Sequence, residues 1–159
     1  MSTPWFKNKL IINNYLFQPN QVICFQTNYF KNHHNLTGYR YYLLKEIDKK
    51  NNLLIFFTIT SNRSHEWVLY SQHKVKQRPS CLDSKIYPNS FINTNCLIKV
   101  PLKVSKLLER NCQKLHPTCL DKEEFQEILD LHKFVVQFQT ILRVEVEIIN
   151  LAEKNFIFD

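Results

Sequence analysis

Two apolar runs joined by a short polar connection constrain the fold of this chain most strongly. Residues 38–48 read GYRYYLLKEID and residues 51–61 read NNLLIFFTITS. Both runs are rich in aromatic and β-branched residues, which favour extended strands. The connecting DKKNN at 48–52 has the composition and length of a tight turn. The sequence therefore predicts that residues 39–47 and 53–60 pair as an antiparallel hairpin, with the start of the first strand opposite the end of the second.

Further strand-like runs and one helix signal flank this hairpin. The other predicted strands are QVICFQTNYF at 21–30, HEWVLYSQ at 65–72 and NTNCLIKV at 93–100. Residues 73–90 contain two prolines and are predicted as an irregular basic segment. Asp121, followed three residues later by Glu124, has the pattern of a capping box and predicts the start of a helix. Residues 134–150 can continue that helix or form a last strand, because RVEVEII alternates.

These elements predict a mainly β (α+β) protein. The expected architecture is a small, curled antiparallel barrel of four to five or more strands, with a C-terminal helix on one face. The expected division is an N-terminal arm or short helix at 1–19, the barrel with its helix at 20–136, and a C-terminal extension at 137–159. A chain of 159 residues is long enough to build such a core.

The charge and glycine content limit the possible functions. Lys and Arg outnumber Asp and Glu by 21 to 14, giving net +7. This surplus favours a polyanionic partner such as RNA, although a general preference for lysine codons would produce it as well. Gly38 is the single glycine, so the chain cannot form a glycine-rich phosphate loop. No HExxH or GxSxG motif is present, and neither a metal nor a cofactor is expected.

Cysteine usage and hydropathy suggest a compartment. The five cysteines form no CxxC pair and no common zinc pattern. An odd cysteine count without a signal peptide predicts reduced thiols and a cytoplasmic protein. No apolar stretch approaches the ~18 residues that span a bilayer, so no membrane association is expected.

An arginine and hydroxyl groups at one end of the predicted hairpin can carry metal-independent RNA cleavage. In that reaction the ribose 2′-OH attacks the adjacent phosphate, so the protein must move protons and stabilise negative charge on the phosphate. A guanidinium forms two hydrogen bonds to phosphate oxygens and stays charged. Arg40 begins one strand, and the stretch Thr58 to Ser61 ends the next. Taken singly, an arginine such as Arg40 is more often a surface residue than a catalyst, and Thr58 and Thr60 are of a type that usually serves as ordinary strand formers.

The order of these parts resembles the PemK/MazF-like toxins over roughly residues 20–136. The resemblance rests on QVICFQT, on GYRYYLL with its Gly-x-Arg, on a third strand ending in TITS, and on NTNCLIKVPL followed by the DKEEFQEILDLH helix. Tyr41 stands where that family usually has proline. The resemblance implies a homodimeric barrel that acts as an endoribonuclease toxin on single-stranded RNA, and that a small acidic antitoxin inhibits.

The same resemblance implies roles for individual residues. Arg40 matches the catalytic arginine, Thr60 and Ser61 match the phosphate-binding hydroxyls, and His34 lies in the loop where some members use a histidine as base. Gly38 can adopt positive φ and turn the chain out of this loop into the strand that carries Arg40.

A second group of residues has the composition of an RNA-binding surface. Positive side chains can bind phosphates, and aromatic rings can stack on unpaired bases. The candidates are Arg63, His65, Tyr70, Lys74, Lys76 and Arg78. Two alternative functions stay open: a nucleic-acid-binding barrel without catalysis, and a protein-interaction domain in which the positive charge plays no part.

Overall fold

A computed structural model describes residues 10–12, 15–25, 40–60, 71–76, 90–102, 115–116, 120–138 and 141–145. The strands in these ranges are β1 Leu10–Ile12, β2 Tyr15–Phe17, β3 Val22–Phe25, β4 Arg40–Asp48, β5 Leu53–Thr60, β6 Gln72–Lys74, β7 Phe91–Pro101, β8 Leu115–His116 and β9 Leu142–Glu145. The helix of these ranges, α1, spans Lys122–Phe138. The protein is therefore mostly β, with an antiparallel sheet and a C-terminal helix.

The main sheet has the strand order β6-β7-β5-β4-β3-β8, and its neighbouring strands are antiparallel. β9 lies beside the second half of β7 and runs parallel to it. β1 and β2 form a separate two-stranded antiparallel sheet, so residues 10–12 and 15–17 are extended and do not form the short helix that was an alternative for the N-terminal arm.

The predicted hairpin is confirmed. β4 and β5 pair in antiparallel register from Tyr42 opposite Thr58 to Asp48 opposite Leu53. At the turn, Asp48 accepts hydrogen bonds from the Asn51 backbone N–H at 3.1 Å and from its side-chain amide at 2.8 Å. Asn52 adopts φ of 56°, a left-handed conformation that asparagine tolerates better than most residues. Asn52 thus occupies a left-handed turn position of the kind that glycine often fills.

The expected closed barrel is not observed. Within the described ranges the sheet runs from β8 at one edge to β6 and β9 at the other, with no pairing that joins the two edges. Closing a barrel requires every strand to pair on both sides, and the outer strands here are short. β6 has three residues and β8 has two, so neither presents a long edge to a further strand.

The core occupies both faces of the central strands. Five consecutive residues of β5, Leu54 to Thr58, are buried, as expected for a strand covered on both sides. On one face, Leu43, Phe57 and Leu97 belong to a cluster that also includes Ile128 of the helix.

On the opposite face, residues of β4, β5 and β7 form a second buried group. Tyr42 and Phe56 are fully buried there, and their rings meet edge to face at 6.2 Å. Ile98 of β7 is also fully buried. The central strands of the sheet are thus covered on both faces.

The helix begins where the sequence predicted it. The Asp121 carbonyl accepts the first helical hydrogen bond, from Phe125 N–H at 2.9 Å, as the N-cap residue does. Glu124 does not turn back to complete a capping box; its carboxylate accepts the backbone N–H of Lys76 instead. The helix ends at Phe138 and β9 spans Leu142–Glu145, so the described part of the 134–150 segment is first helix and then strand.

A bulge in β7 is fixed by the helix. Phe57 lies opposite Leu97, whereas the next residue, Thr58, lies opposite Asn93, so β7 has extra residues at this point. His132 Nδ1 lies 2.9 Å from the Thr94 carbonyl oxygen in this bulge. Because a carbonyl can only accept, Nδ1 carries the hydrogen. His132 is therefore a buried structural residue, and its ring packs on Phe57 at 5.3 Å.

Candidate nucleic-acid interface

The antiparallel register brings two predicted catalytic positions to one end of the sheet. Tyr42 lies opposite Thr58, and two residues further along each strand are Arg40, where β4 begins, and Thr60, where β5 ends. The backbone therefore places positions 40 and 60 at the same level of neighbouring strands. The turn at 48–52 sets the register as far as Glu46. A bulge at Lys45, between Leu44 and Glu46, then shifts the register by one residue, so that position 40 rather than 41 lies level with position 60.

This level continues across the neighbouring strands. Thr60 lies opposite Phe91 of β7, Phe91 lies opposite Lys74 of β6, and Arg40 lies opposite Phe25 of β3. We call these five positions, in the order Lys74, Phe91, Thr60, Arg40 and Phe25, the end row. Since paired strands lie ~4.8 Å apart, positions 74 and 40 are separated by about 14 Å.

The residue types of the end row suit a nucleic acid. Lys74 is exposed, and Phe91 and Thr60 are half-buried. A cation, an aromatic ring and a hydroxyl group therefore follow one another on adjacent strands, and position 40 adds an arginine. Residues directly opposite one another on paired strands share a face of the sheet. Such a face offers charge for phosphates, a ring for a base and a hydrogen-bonding group between them.

One level deeper, a hydrogen-bonded row supports the end row. Gln72 lies opposite Asn93, and Asn93 lies opposite Thr58. The Gln72 side-chain amide donates to Asn93 Oδ1 at 2.6 Å, and Asn93 Nδ2 donates to Thr58 Oγ1 at 3.0 Å. These bonds tie β6, β7 and β5 together with side chains as well as with backbone. Lys74, Phe91 and Thr60 are thereby held at fixed spacing.

The two described lysines of the predicted RNA-binding surface differ in their environment. The Lys76 ammonium lies 2.7 Å from a carboxylate oxygen of Glu127. This hydrogen bond and the negative charge of Glu127 raise the pKa of Lys76. The same hydrogen bond and the positive charge of Lys76 lower the pKa of Glu127. Lys74 has no ion pair with any residue that the structure describes. Lys74 is therefore the better candidate for a phosphate contact.

Most of the other predicted site residues lie outside the described residues. These are His34, Gly38, Ser61, Arg63, His65, Tyr70 and Arg78. The strand predicted at 65–72 also lies mostly outside them. What the structure shows instead is a strand at 72–74, in a segment that was expected to be irregular.

Sequence reasoning missed Phe91 as a site residue. The evidence for Phe91 is indirect. It is the first residue of β7, and it lies directly opposite Thr60 of the β4–β5 hairpin. Only the lateral order of strands reveals this neighbour, because positions 60 and 91 are far apart in the chain.

A cavity of about 520 Å³ lies at the other end of the hairpin, beside the turn. It is lined by Lys45, Glu46, Asp48, Asn51, Leu53, Ile55, Leu97, Lys99 and His132. Its charged groups largely serve one another: the Lys45 ammonium contacts Glu46, and Asp48 accepts from Asn51. Opposite charges in equal number give the cavity no net attraction for a polyanion.

Comparisons with protein-family models, with curated proteins and with solved structures give no match to this chain. In the part of the chain that the structure describes, no helix is both long enough and apolar enough to cross a membrane. Among the same residues, no three His, Cys, Asp or Glu side chains form a group that could hold a metal ion.

Proposed function

We propose that this protein binds single-stranded RNA along the end row and cleaves it there by attack of the ribose 2′-OH. The observation that carries the proposal is the register that aligns Lys74, Phe91, Thr60 and Arg40 on four adjacent strands. The net charge of +7 supports a polyanionic substrate.

The proposed reaction needs no group beyond side chains and the RNA itself. The 2′-OH gives its proton to a base as its oxygen forms a bond to phosphorus, the bond from phosphorus to the 5′-oxygen breaks, and the 5′-oxygen takes up a proton from an acid. The products are a 2′,3′-cyclic phosphate and a 5′-hydroxyl end. Arg40 stabilises the charge that develops on the phosphate, and Thr60 donates a hydrogen bond to the same oxygens. Ser61 as a second hydroxyl donor and His34 as base stay predictions from the resemblance.

Substrate binding uses the other half of the row. Lys74 neutralises a neighbouring phosphate, and Phe91 stacks on an unpaired base. Stacking needs a base that is not held in a duplex, which favours single-stranded RNA over a double helix. The distance of about 14 Å between positions 74 and 40 lets one extended strand of RNA contact both cations.

The biological setting follows from the resemblance to the PemK/MazF-like toxins. In that setting the protein is a cytoplasmic homodimer that acts as a toxin, and a small acidic antitoxin covers the end row. The proposal does not depend on a closed barrel, since the row needs only β4 to β7 in the observed register.

A cleavage assay tests the proposal. Labelled single-stranded RNA is incubated with the protein in EDTA, beside an RNA in which every ribose lacks its 2′-OH. We expect cleavage of the first RNA, with cyclic-phosphate ends, and none of the second. Cleavage that EDTA abolishes, or that the 2′-deoxy strand also undergoes, would contradict the mechanism. Tight, salt-sensitive binding without any cleavage would favour a nucleic-acid-binding module instead.

A further inference from the structure

The strand β6 carries a buried histidine on the side opposite its exposed lysine. His73 lies between Gln72 and Lys74, and alternation along a strand places it on the helix side of the sheet. Its side chain is about nine-tenths buried, and its Nε2 has no hydrogen-bond partner among the described residues. That nitrogen lies 3.7 Å from a carboxylate oxygen of Glu124. Such a distance is too long for a hydrogen bond.

The carboxylate opposite His73 also holds the chain that follows β6. Both oxygens of Glu124 accept the backbone N–H of Lys76 at 3.3 Å. The Glu124 side chain is as buried as that of His73. A buried charge needs such donors to offset the loss of water. One helix side chain therefore contacts β6 and the residue two positions after it.

β6 depends on this contact because it is short and lies at an edge of the sheet. It has three residues and pairs with β7 along one side. Lys74, the last of these residues, is the outermost cation of the end row. Any loosening of β6 from the helix moves Lys74 directly.

We propose that Glu124 and His73 form a proton-sensitive clamp that positions Lys74 in the end row. Glu124 is the positioning residue: it touches no substrate and acts through β6. His73 makes the clamp sensitive to acid, because a proton on its buried ring favours release of β6 to solvent. The RNA part of this inference rests on the proposed function, whereas the clamp itself does not.

The direction of the pH effect follows from the surroundings of His73. Burial lowers its pKa below the ordinary value of 6.5, and the nearby Lys76 acts in the same direction. Glu124 and Glu127 on the helix oppose this shift but do not cancel it. When β6 is released, His73 regains water and its ordinary pKa, so the released state binds the proton more readily. The clamp is therefore fully closed at pH values above 6.5, the ordinary pKa of histidine. It loosens as the pH falls below 6.5 toward the lowered pKa of His73.

The first test compares two neighbouring carboxylates in the full-length protein. Glu124→Gln removes the charge that holds the Lys76 amide, and Glu127→Gln makes the same chemical change at the exposed pair. We expect Glu124→Gln to speed hydrogen exchange of the Lys76 amide by about tenfold. It should also lower the salt slope of RNA binding by about 0.7, the contribution of one phosphate contact on a single strand. Glu127→Gln should leave the Lys76 amide protected.

The second test uses pH and keeps the inference open to refutation even if Glu124→Gln does not fold. Protection of the β6 amides, corrected for intrinsic exchange rates, is measured from pH 7.5 to 5.5 in the wild type and in His73→Gln. The glutamine keeps a polar side chain facing Glu124 but takes up no proton. We expect protection to fall with pH in the wild type and to stay flat in the variant. Equal falls in both proteins would overturn the role of His73.

Failure of the clamp and failure of the proposed function give different results. Wild-type protein that binds no RNA, while Glu124→Gln still releases the Lys76 amide, overturns the proposed function and leaves the clamp. Wild-type protein that binds RNA, while Glu124→Gln changes neither amide exchange nor the salt slope, overturns the clamp alone.

Discussion

The two ends of the β4–β5 hairpin use polar residues in opposite ways. At the closed end, Asp48 is bonded to Asn51, Lys45 is paired with Glu46, and the Asn52 carbonyl accepts Leu102 N–H at 2.9 Å. These contacts complete a turn, and most of them join residues a few positions apart. At the open end, polar residues are aligned across strands, from β6 to β4.

The polar groups at the closed end stabilise the turn, whereas those at the open end include the ones that we propose to contact RNA. At the closed end Lys45 is paired with Glu46 and Asp48 accepts from Asn51, so these groups have little left to offer a partner. At the open end the hydrogen bonds lie one level below the surface, where Asn93 joins Gln72 and Thr58. The last described level of this end contains Lys74, which is exposed, and position 40, and it is the level that we propose as the RNA contact. The contrast between the ends is what the following experiments test.

The largest expected difference is between Arg40, at the start of β4, and Lys50, in the turn that follows β4. Arg40→Ala should lower the rate of RNA cleavage by about 10²–10³-fold, as loss of a transition-state charge donor does. Lys50→Ala removes one positive charge from the exposed turn and should leave the rate unchanged. Single-turnover cleavage of one labelled RNA measures both. An equal loss in the two variants would mean that the end row has no special role.

The next difference concerns stability. Asn93→Ala removes the link between Gln72 and Thr58 and leaves the buried Thr58 hydroxyl without its donor, which costs about 1–3 kcal/mol in the free energy of unfolding. Asn51→Ala, the matched change at the exposed turn, should cost less because water replaces the lost partner. Urea denaturation of each variant gives the comparison. A larger loss of stability in Asn51→Ala would contradict the view that the hydrogen-bonded row of Gln72, Asn93 and Thr58 stabilises the open end.

A smaller effect is expected to distinguish Lys74 from Lys76, the two lysines near the open end. Lys74→Ala should reduce the salt slope of RNA binding by about 0.7, because one phosphate contact is lost. Lys76→Ala should change the slope less, since the Lys76 ammonium is already paired with Glu127. Fluorescence anisotropy at several salt concentrations measures both slopes. The reverse order would show that the end row is not where the RNA lies.

The smallest effect is a pH dependence at the closed end. Hydrogen bonds from Asn51 lower the pKa of Asp48 below its ordinary value of 3.8. Its contribution to stability is therefore present above that value and is lost as pH falls through the lowered pKa. Asp48→Asn should make the unfolding midpoint less dependent on pH below about 4, without altering RNA binding. An unchanged pH profile would mean that the turn does not depend on this carboxylate.

Local chemistry made part of the structure predictable from the sequence. The DKKNN turn and the N-cap at Asp121 depend on residues within one turn of each other, and both are found where expected. These two features were predictable because short-range geometry determines them. The common level of positions 40 and 60 depends in addition on the bulge at Lys45, which the turn does not determine.

Contacts between distant segments were not predictable in the same way. His73 and Lys74 of β6 fall in a segment that was expected to be irregular, because the pairing of β6 with β7 depends on residues about twenty positions away rather than on its own pattern. The capping-box interpretation of Glu124 was wrong for a similar reason: its partner, Lys76, is 48 residues away. The expected barrel closure also failed, since strand patterns do not say how long the outermost strands will be.

Mapping the RNA on the folded protein tests the central claim most directly. Backbone amide shifts are recorded by NMR while a single-stranded RNA with 2′-O-methyl riboses, which cannot undergo the cleavage, is added. We predict that the largest changes occur at Lys74, Phe91, Thr60 and Arg40, with little change at Asp48 to Asn52. Changes centred on the 48–52 turn and its cavity, or none at saturating RNA, would contradict the account.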